Sequence, residues 1–226
     1  MSSYFITGTD TGCGKTEITL GLMQLLQGRG HSVLGMKPVA SGAAATPDGL
    51  RNEDALRIQA QGSLDLPYSA INPYAYGSPI APHLAAEQAG EIIDLDVIHS
   101  HYQALAAQAD SVIVEGVGGW QVPLNRQQGI PDLAVRLQLP VILVVGLRLG
   151  CINHALLSVE GILASGVELA GWVGNVVDAG MLVGEENVGA IRERVGVDCL
   201  GVVPFMPKPT ARQVAGYLEF SFVRLD

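Results

Sequence analysis

A strand, a glycine-rich loop and a helix in direct succession constrain this chain more than anything else in it. The apolar run YFIT (4–7) leads into GTDTGCGKT (8–16). Ile18, Leu22, Leu25 and Leu26 then repeat at helical spacing until Gly28 and Gly30 stop the pattern. The strict phosphate-loop signature asks for glycine five residues before Gly14; this chain has Thr9 there, with Gly8 one position early. Such a loop and the helix N-terminus present backbone N–H groups to an anion. Lys15 can reach the outer phosphates of a nucleotide, and the Thr16 hydroxyl can ligate magnesium. A turn that binds nothing would also use glycine, but packing gives no reason for Gly-Lys-Thr. Cys13 reads as a small filler of the loop rather than a nucleophile.

Further short apolar runs recur at SVLGMKPV (32–39), SVIVEG (111–116), PVILVVG (140–146), LAGWVGNV (169–176) and LGVVP (200–204). Near-continuous apolar strands separated by helical patterns predict a mostly parallel sheet buried on both faces. Leu156, Val159 and Leu163 supply one such helical stripe after Asn153. The expected fold class is α/β: one three-layer, doubly wound sheet. A chain of 226 residues suits a single domain, 1–226, and can bury roughly 70–75% of its unfolded surface. The segment 43–82, rich in Gly, Pro, Ser and Asn, reads as loops around one helix at about 52–60, a candidate lid. In such sheets ligands sit outside the carboxyl ends of the strands.

The formal charge of −9 argues against nucleic acid or an anionic membrane as partner. An anionic ligand must then be held by local donors, and there are only three lysines: Lys15, Lys37 and Lys208. Cys13, Cys151 and Cys199 are too few and too scattered for a disulfide framework or a zinc site. The start MSSYFITGTD has no basic segment followed by a long apolar run. The run from Pro140 to Leu147 is too short to cross a bilayer. A soluble cytoplasmic protein is the expectation.

Other candidate site residues fall at predicted strand ends. Glu115 closes SVIVE and is followed by GVGG, which suits a magnesium ligand beside phosphates; a solvated strand terminus is the bland alternative. Asp54, at a helix start, is on spacing alone an ordinary first-turn aspartate. Lys37 leaves an apolar strand before Pro38, with Ser41 four residues on, and either points into the site or lies on the surface. VVGLRLGCINHA (144–155) enters a helix near Asn153, where a second anion could bind or Asn153 could simply cap. His99 and His101 face different ways on a helix and read as surface residues; His83 and His154 lack partners at metal-ligand spacing.

GTDTGCGKT (8–16), KPVASG (37–42), TPDGLRNEDAL (46–56), NPYAY (72–76), SPIAPH (78–83), VEGVGGW (114–120), LPVILVVGLRLGCINHALL (139–157) and GWVGN (171–175) together resemble the dethiobiotin synthetase family, in sequence and in order, from about residue 4 to 206. The resemblance implies a phosphate-loop NTPase fold and a reaction of ATP, carbon dioxide and 7,8-diaminononanoate. One amine becomes a carbamate, ATP phosphorylates it, and the second amine closes the ureido ring. It implies Thr16, Asp54 and Glu115 as magnesium ligands. Gly12, Cys13, Gly14, Lys15, Thr16 and Glu17 would hold ATP, with Gly116, Val117 and Gly118 beside them. Asn175, Val176, Pro204, Phe205 and Met206 would line the base pocket. Lys37, Lys15 and Thr11 would act in catalysis, and Thr11, Lys37 and Ser41 would touch substrate. Gly150, Cys151 and Asn153 would bind the substrate carboxylate across a homodimer. The chain departs from the pattern at Gly12, Val176, Asn187 and Ala211, where some relatives carry an acid, aspartate, tyrosine and glutamate.

The main rival is a switch ATPase of the partitioning or nitrogenase type. Those proteins carry an extra lysine early in the phosphate loop, where this chain has Asp10. The cobyrinate-amidation enzymes add a glutamine-hydrolysing domain for which this chain has no room. A non-catalytic regulator would be expected to lose Glu115 or Lys37, and both are present.

Overall fold

The computed structural model describes residues 3–219. Its central sheet has six strands: β1 (Tyr4–Gly8), β2 (Val33–Met36), β7 (Ser111–Glu115), β8 (Val141–Leu147), β9 (Leu169–Val176) and β10 (Cys199–Val203). Their order is β10-β9-β8-β1-β7-β2, and every neighbouring pair runs parallel. Each residue of β7 and β8 is buried. Successive strand residues face opposite ways, so both faces of the sheet must be covered by helices.

The cover comes from helices that follow the strands. Helix α1 (Lys15–Gly28) packs against α2 (Glu53–Gln61) and α9 (Ala211–Ala215), while α5 (Leu95–Ala106) meets α6 (Ile130–Leu137) and α7 (Cys151–Ala164) meets α8 (Gly184–Val195). In α1, Ile18, Leu22 and Leu26 are fully buried, and the helix ends at Gly28 with Gly30 in the left-handed region (φ 91). In α7 the buried stripe is Cys151, Ala155, Val159 and Ile162. Leu163 is half exposed, so the stripe expected from the leucines is rotated. The small Ala155 allows close approach to the sheet, which a reading weighted toward large side chains overlooks. α7 also starts earlier than expected, with Gly150 as its N-cap (φ 95), and Asn153 caps nothing.

The expected strand at 32–39 is two strands. β2 ends at Met36, and β3 (Val39–Ser41) pairs with β6 (Tyr74–Tyr76) in a separate parallel ribbon. Pro38 between them has no N–H for a ladder and a fixed φ, so the strand cannot run through. The 43–82 segment holds more than one helix in loops. It contains the hairpin of β4 (Ala44–Thr46) and β5 (Gly49–Arg51), then α2, α3 (Tyr68–Ile71) and β6, and it ends where α4 (Pro82–Gln88) begins. Three-residue strands are too short to show a period in sequence.

β1 lies between β7 and β8, and the chain leaves it toward β2 on one side before it returns to β8 on the other. That reversal opens a crevice at the carboxyl end of β1. The loop 8–16 sits there.

Candidate active site at the carboxyl edge of the sheet

The phosphate loop is shaped by its own backbone needs. Gly14 caps α1 at φ 90, in the left-handed region, and a Cβ there would run into the Asn175 amide. Only glycine meets both demands without strain. That amide donates from Nδ2 to the Cys13 carbonyl at 3.0 Å, which ties the end of β9 to the loop. Cys13 is buried, the filler role expected of it. Lys15 is 7% exposed, and its Nζ donates to the Asp10 carbonyl at 2.9 Å. Asp10 in turn pairs with Arg148 at the end of β8.

The ends of β7 and β2 deliver opposite charges to this crevice. Glu115, the last residue of β7, is 1% exposed. Its Oε1 accepts from Thr16 Oγ1 at 2.9 Å and from Lys37 Nζ at 2.6 Å. Its Oε2 is buried without a hydrogen-bond partner among the described residues. Lys37, one residue beyond β2, is 4% exposed and also faces Asp54 Oδ2 at 3.5 Å. Burial alone would lower the pKa of Lys37. The Glu115 and Asp54 carboxylates more than offset that and hold it above the ordinary lysine value. Lys37 is therefore a fixed cation near neutral pH rather than a base.

Asp54 is the second residue of α2, whose N-cap is Asn52 through Asn52 Oδ1 and the Ala55 N–H at 3.2 Å. One turn on, Arg57 forms a two-point ion pair with Glu17 of α1, at 2.7 and 2.8 Å. That hydrogen-bonded pairing raises the pKa of Arg57. Planar two-point pairs fix orientation as well as charge. The carboxylate that follows Thr16 is thus paired with a cation rather than left open beside the loop.

Among the described residues no three His, Cys, Asp or Glu side chains cluster as a self-sufficient metal site. Magnesium does not require one. It is usually held by one or two carboxylates together with substrate phosphates and water. A buried carboxylate with an unpartnered oxygen, a hydroxyl at 2.9 Å and a second carboxylate across Lys37 fit such an ion.

One cavity of about 760 Å³ brings most of the expected residues together: Thr11, Gly12, Gly14, Lys15, Thr16, Glu17, Lys37, Ser41, Asp54, Glu115, Val117 and Gly118. Cys13 and Gly116 do not line it. Neither do the expected base-pocket residues. Val176 and Phe205 border a separate cavity of about 700 Å³ beneath α8, and Asn175 reaches the loop from behind. Gly150, Cys151 and Asn153 lie outside both cavities. Arg57, Asn52, Gln121 and the 79–82 turn also line the first cavity, and none of them is a candidate on sequence grounds. For Arg57 the only sequence signal is its place one helical turn after Asp54.

A family model described as an AAA domain matches residues 2–213. The ATP-dependent dethiobiotin synthetase BioD of Chromohalobacter salexigens is 49% identical over 231 residues, covering 96% of this chain and 98% of that protein. The protein of that name from Pseudomonas aeruginosa is 50% identical over 220 residues, covering 97% of this chain and 96% of its own. Among solved structures, the MinD cell division protein of Aquifex aeolicus superposes with a TM-score of 0.56 at 15% identity, over 96% of this chain and 88% of that one. FtsY from Mycoplasma mycoides gives 0.55 at 15% identity, over 97% and 63%. At such low identity these two likenesses speak for the fold alone.

Proposed function

The chain belongs to the ATP-dependent dethiobiotin synthetases, carbon–nitrogen ligases of biotin biosynthesis, and on that premise we propose that it closes the ureido ring of dethiobiotin from 7,8-diaminononanoate and carbon dioxide. The observation that carries the reading is the buried Lys37, held by Glu115 at 2.6 Å and facing the same cavity as Lys15. Two buried cations on one cavity are what a reaction between two anions needs.

One amine of the substrate adds to carbon dioxide and releases a proton, which leaves a carbamate. A carbamate oxygen attacks the γ-phosphorus of ATP and ADP departs. The second amine then attacks the carbamoyl carbon, expels phosphate, loses a proton and closes the ring. Lys15 neutralises the outer phosphates, and Lys37 shields the carbamate from the phosphate it must approach. The loop amides from Gly12 to Glu17 hold the rest of the triphosphate. Thr11 and Ser41, which line the same cavity, would orient the substrate. Thr16, Glu115 and Asp54 would hold magnesium, which when bound supplies further charge neutralisation to the phosphates. Positioning and charge stabilisation are most of phosphoryl-transfer catalysis, so no side-chain base is required.

We further propose that Asn175, Val176 and 204–206 meet the base, and that Gly150, Cys151 and Asn153 serve the site of a partner copy in a homodimer. Neither group lines the phosphate cavity of its own chain.

The test is incubation with ATP, Mg²⁺, the diamine and bicarbonate labelled in carbon and oxygen, read by mass spectrometry. The expected product is heavier than the diamine by one carbonyl unit less two hydrogens, and labelled oxygen appears in the released phosphate. Phosphate release without labelled product would overturn the reading.

A further inference from the structure

The motif NPYAY (72–76) has no part in the site described so far, yet its first residue is a polar side chain only 3% exposed. Asn72 Nδ2 donates to the Lys37 carbonyl at 2.6 Å and to the Tyr74 carbonyl at 3.1 Å. Its Oδ1 accepts from the Tyr68 hydroxyl at 2.7 Å. That same hydroxyl accepts from the Asn52 N–H at 2.8 Å. Asn52 is the N-cap of α2, and Asp54 follows two residues later. The chain of bonds thus runs from Lys37 to the helix that carries Asp54.

Its direction is fixed. Both amide protons of Asn72 are committed to carbonyls, so its oxygen must face Tyr68, and the Tyr68 proton must go to Asn72. Burial raises the pKa of Tyr68, which keeps that proton in place. The Arg51 guanidinium stacks 4.3 Å from the Tyr68 ring centre and restrains it further. Lys37 is gripped on the other side too, since its N–H donates to the Ile71 carbonyl at 2.9 Å. Capping does not explain the arrangement, because the Asn52 side chain already caps α2 without Tyr68.

We propose that Tyr68 and Asn72 are positioning residues: one hydroxyl and one amide hold Lys37 and the Asp54 helix at a fixed spacing, and so set the geometry of the magnesium site. The proposal rests on the reading of Thr16, Asp54 and Glu115 as metal-facing groups. Tyr68→Phe leaves the Asn52 N–H and Asn72 Oδ1 without their shared partner and frees α2 to shift.

The test uses the full chain with a non-hydrolysable ATP analogue and Mn²⁺ as metal probe, bound metal being read by electron paramagnetic resonance. Tyr68→Phe is expected to weaken Mn²⁺ binding by about tenfold, the usual effect of losing a group that orients a ligand. Binding of the analogue without metal stays as in the unmodified chain. In an Asp54→Asn background, Tyr68→Phe adds no further loss, because both changes act through one carboxylate. Asn72→Ala enters the same chain of bonds from its other end and is expected to match. Ile191→Ala in α8, which loosens the core elsewhere, lowers thermal stability but leaves Mn²⁺ affinity intact. Unchanged Mn²⁺ affinity in both Tyr68→Phe and Asn72→Ala overturns the proposal. So does an equal loss from Tyr68→Phe with and without Asp54. If Asp54→Asn alone leaves Mn²⁺ binding intact, the metal reading itself falls and takes the proposal with it.

Discussion

β2 and β7 lie side by side, and their two ends are finished in opposite ways. At the amino ends, Ser32 and Asp110 lock the strands in the open. The Ser32 N–H and hydroxyl donate to Asp110 Oδ2 at 2.8 and 2.6 Å, and the Asp110 N–H donates to Ser32 Oγ at 2.9 Å. These bonds lower the Asp110 pKa, and they lie in solvent. At the carboxyl ends, Lys37 and Glu115 are buried together, and one Glu115 oxygen is left without a partner among the described residues. Buried ion pairs are costly to assemble and need further bonds to justify themselves. A fold seeking only stability would finish both ends like the first. The second end is left with a buried charge pair, which fits the chemistry proposed for it.

The largest test of this contrast is Lys37→Met. Loss of one transition-state cation is expected to lower kcat by about 10²–10³, while ATP still binds through the loop. The same change strands Glu115, so stability falls by about 3–5 kcal/mol in a denaturant titration without metal. Near-normal turnover would erase the difference between the ends. Next in size is Asp54→Asn, for which the Mg²⁺ concentration giving half-maximal rate should rise about tenfold, with KM for ATP little moved. Smaller again is Asn175→Ala. Loss of an amide bond predicts a rise in KM for ATP of up to about tenfold with kcat retained, measured in steady state. The smallest effect is at the amino ends. Asp110 has a depressed folded pKa, so its contribution is present above the unfolded value and disappears as pH falls through the folded one. Asp110→Asn should therefore flatten the acid limb of the stability profile and leave turnover unchanged. A kinetic effect from that substitution would break the comparison.

Much of the carboxyl end could be read from sequence because local pattern fixes it. The strand YFIT, the loop and the apolar run of α1 are contiguous, and Glu115 ends a run whose every residue is buried. Lys37 and Asp54 were ambiguous on spacing and gained weight only through the family resemblance. The structure brings both within reach of one another at 3.5 Å. What spacing could not reveal are the long-range partners. Arg57 meets Glu17 across 40 positions, and Asn72 meets the Lys37 carbonyl across 35. No periodicity encodes such a meeting. The residues expected on the base side came only from the resemblance: Phe205 is 45% exposed, and Asn175 makes a buried polar contact through its amide on the Cys13 carbonyl. The fold class followed from continuous apolar strands. The break at Pro38 and the turned face of α7 did not, because a proline and an alanine act there through geometry rather than hydrophobicity.

A crystal structure with Mg²⁺, a non-hydrolysable ATP analogue and the diamine would test the central claim most directly. The terminal phosphate is expected between Lys15 and Lys37, with the metal touching Thr16 and Glu115 and the diamine beside Ser41. A triphosphate seated away from Lys15 and Glu115 would contradict it.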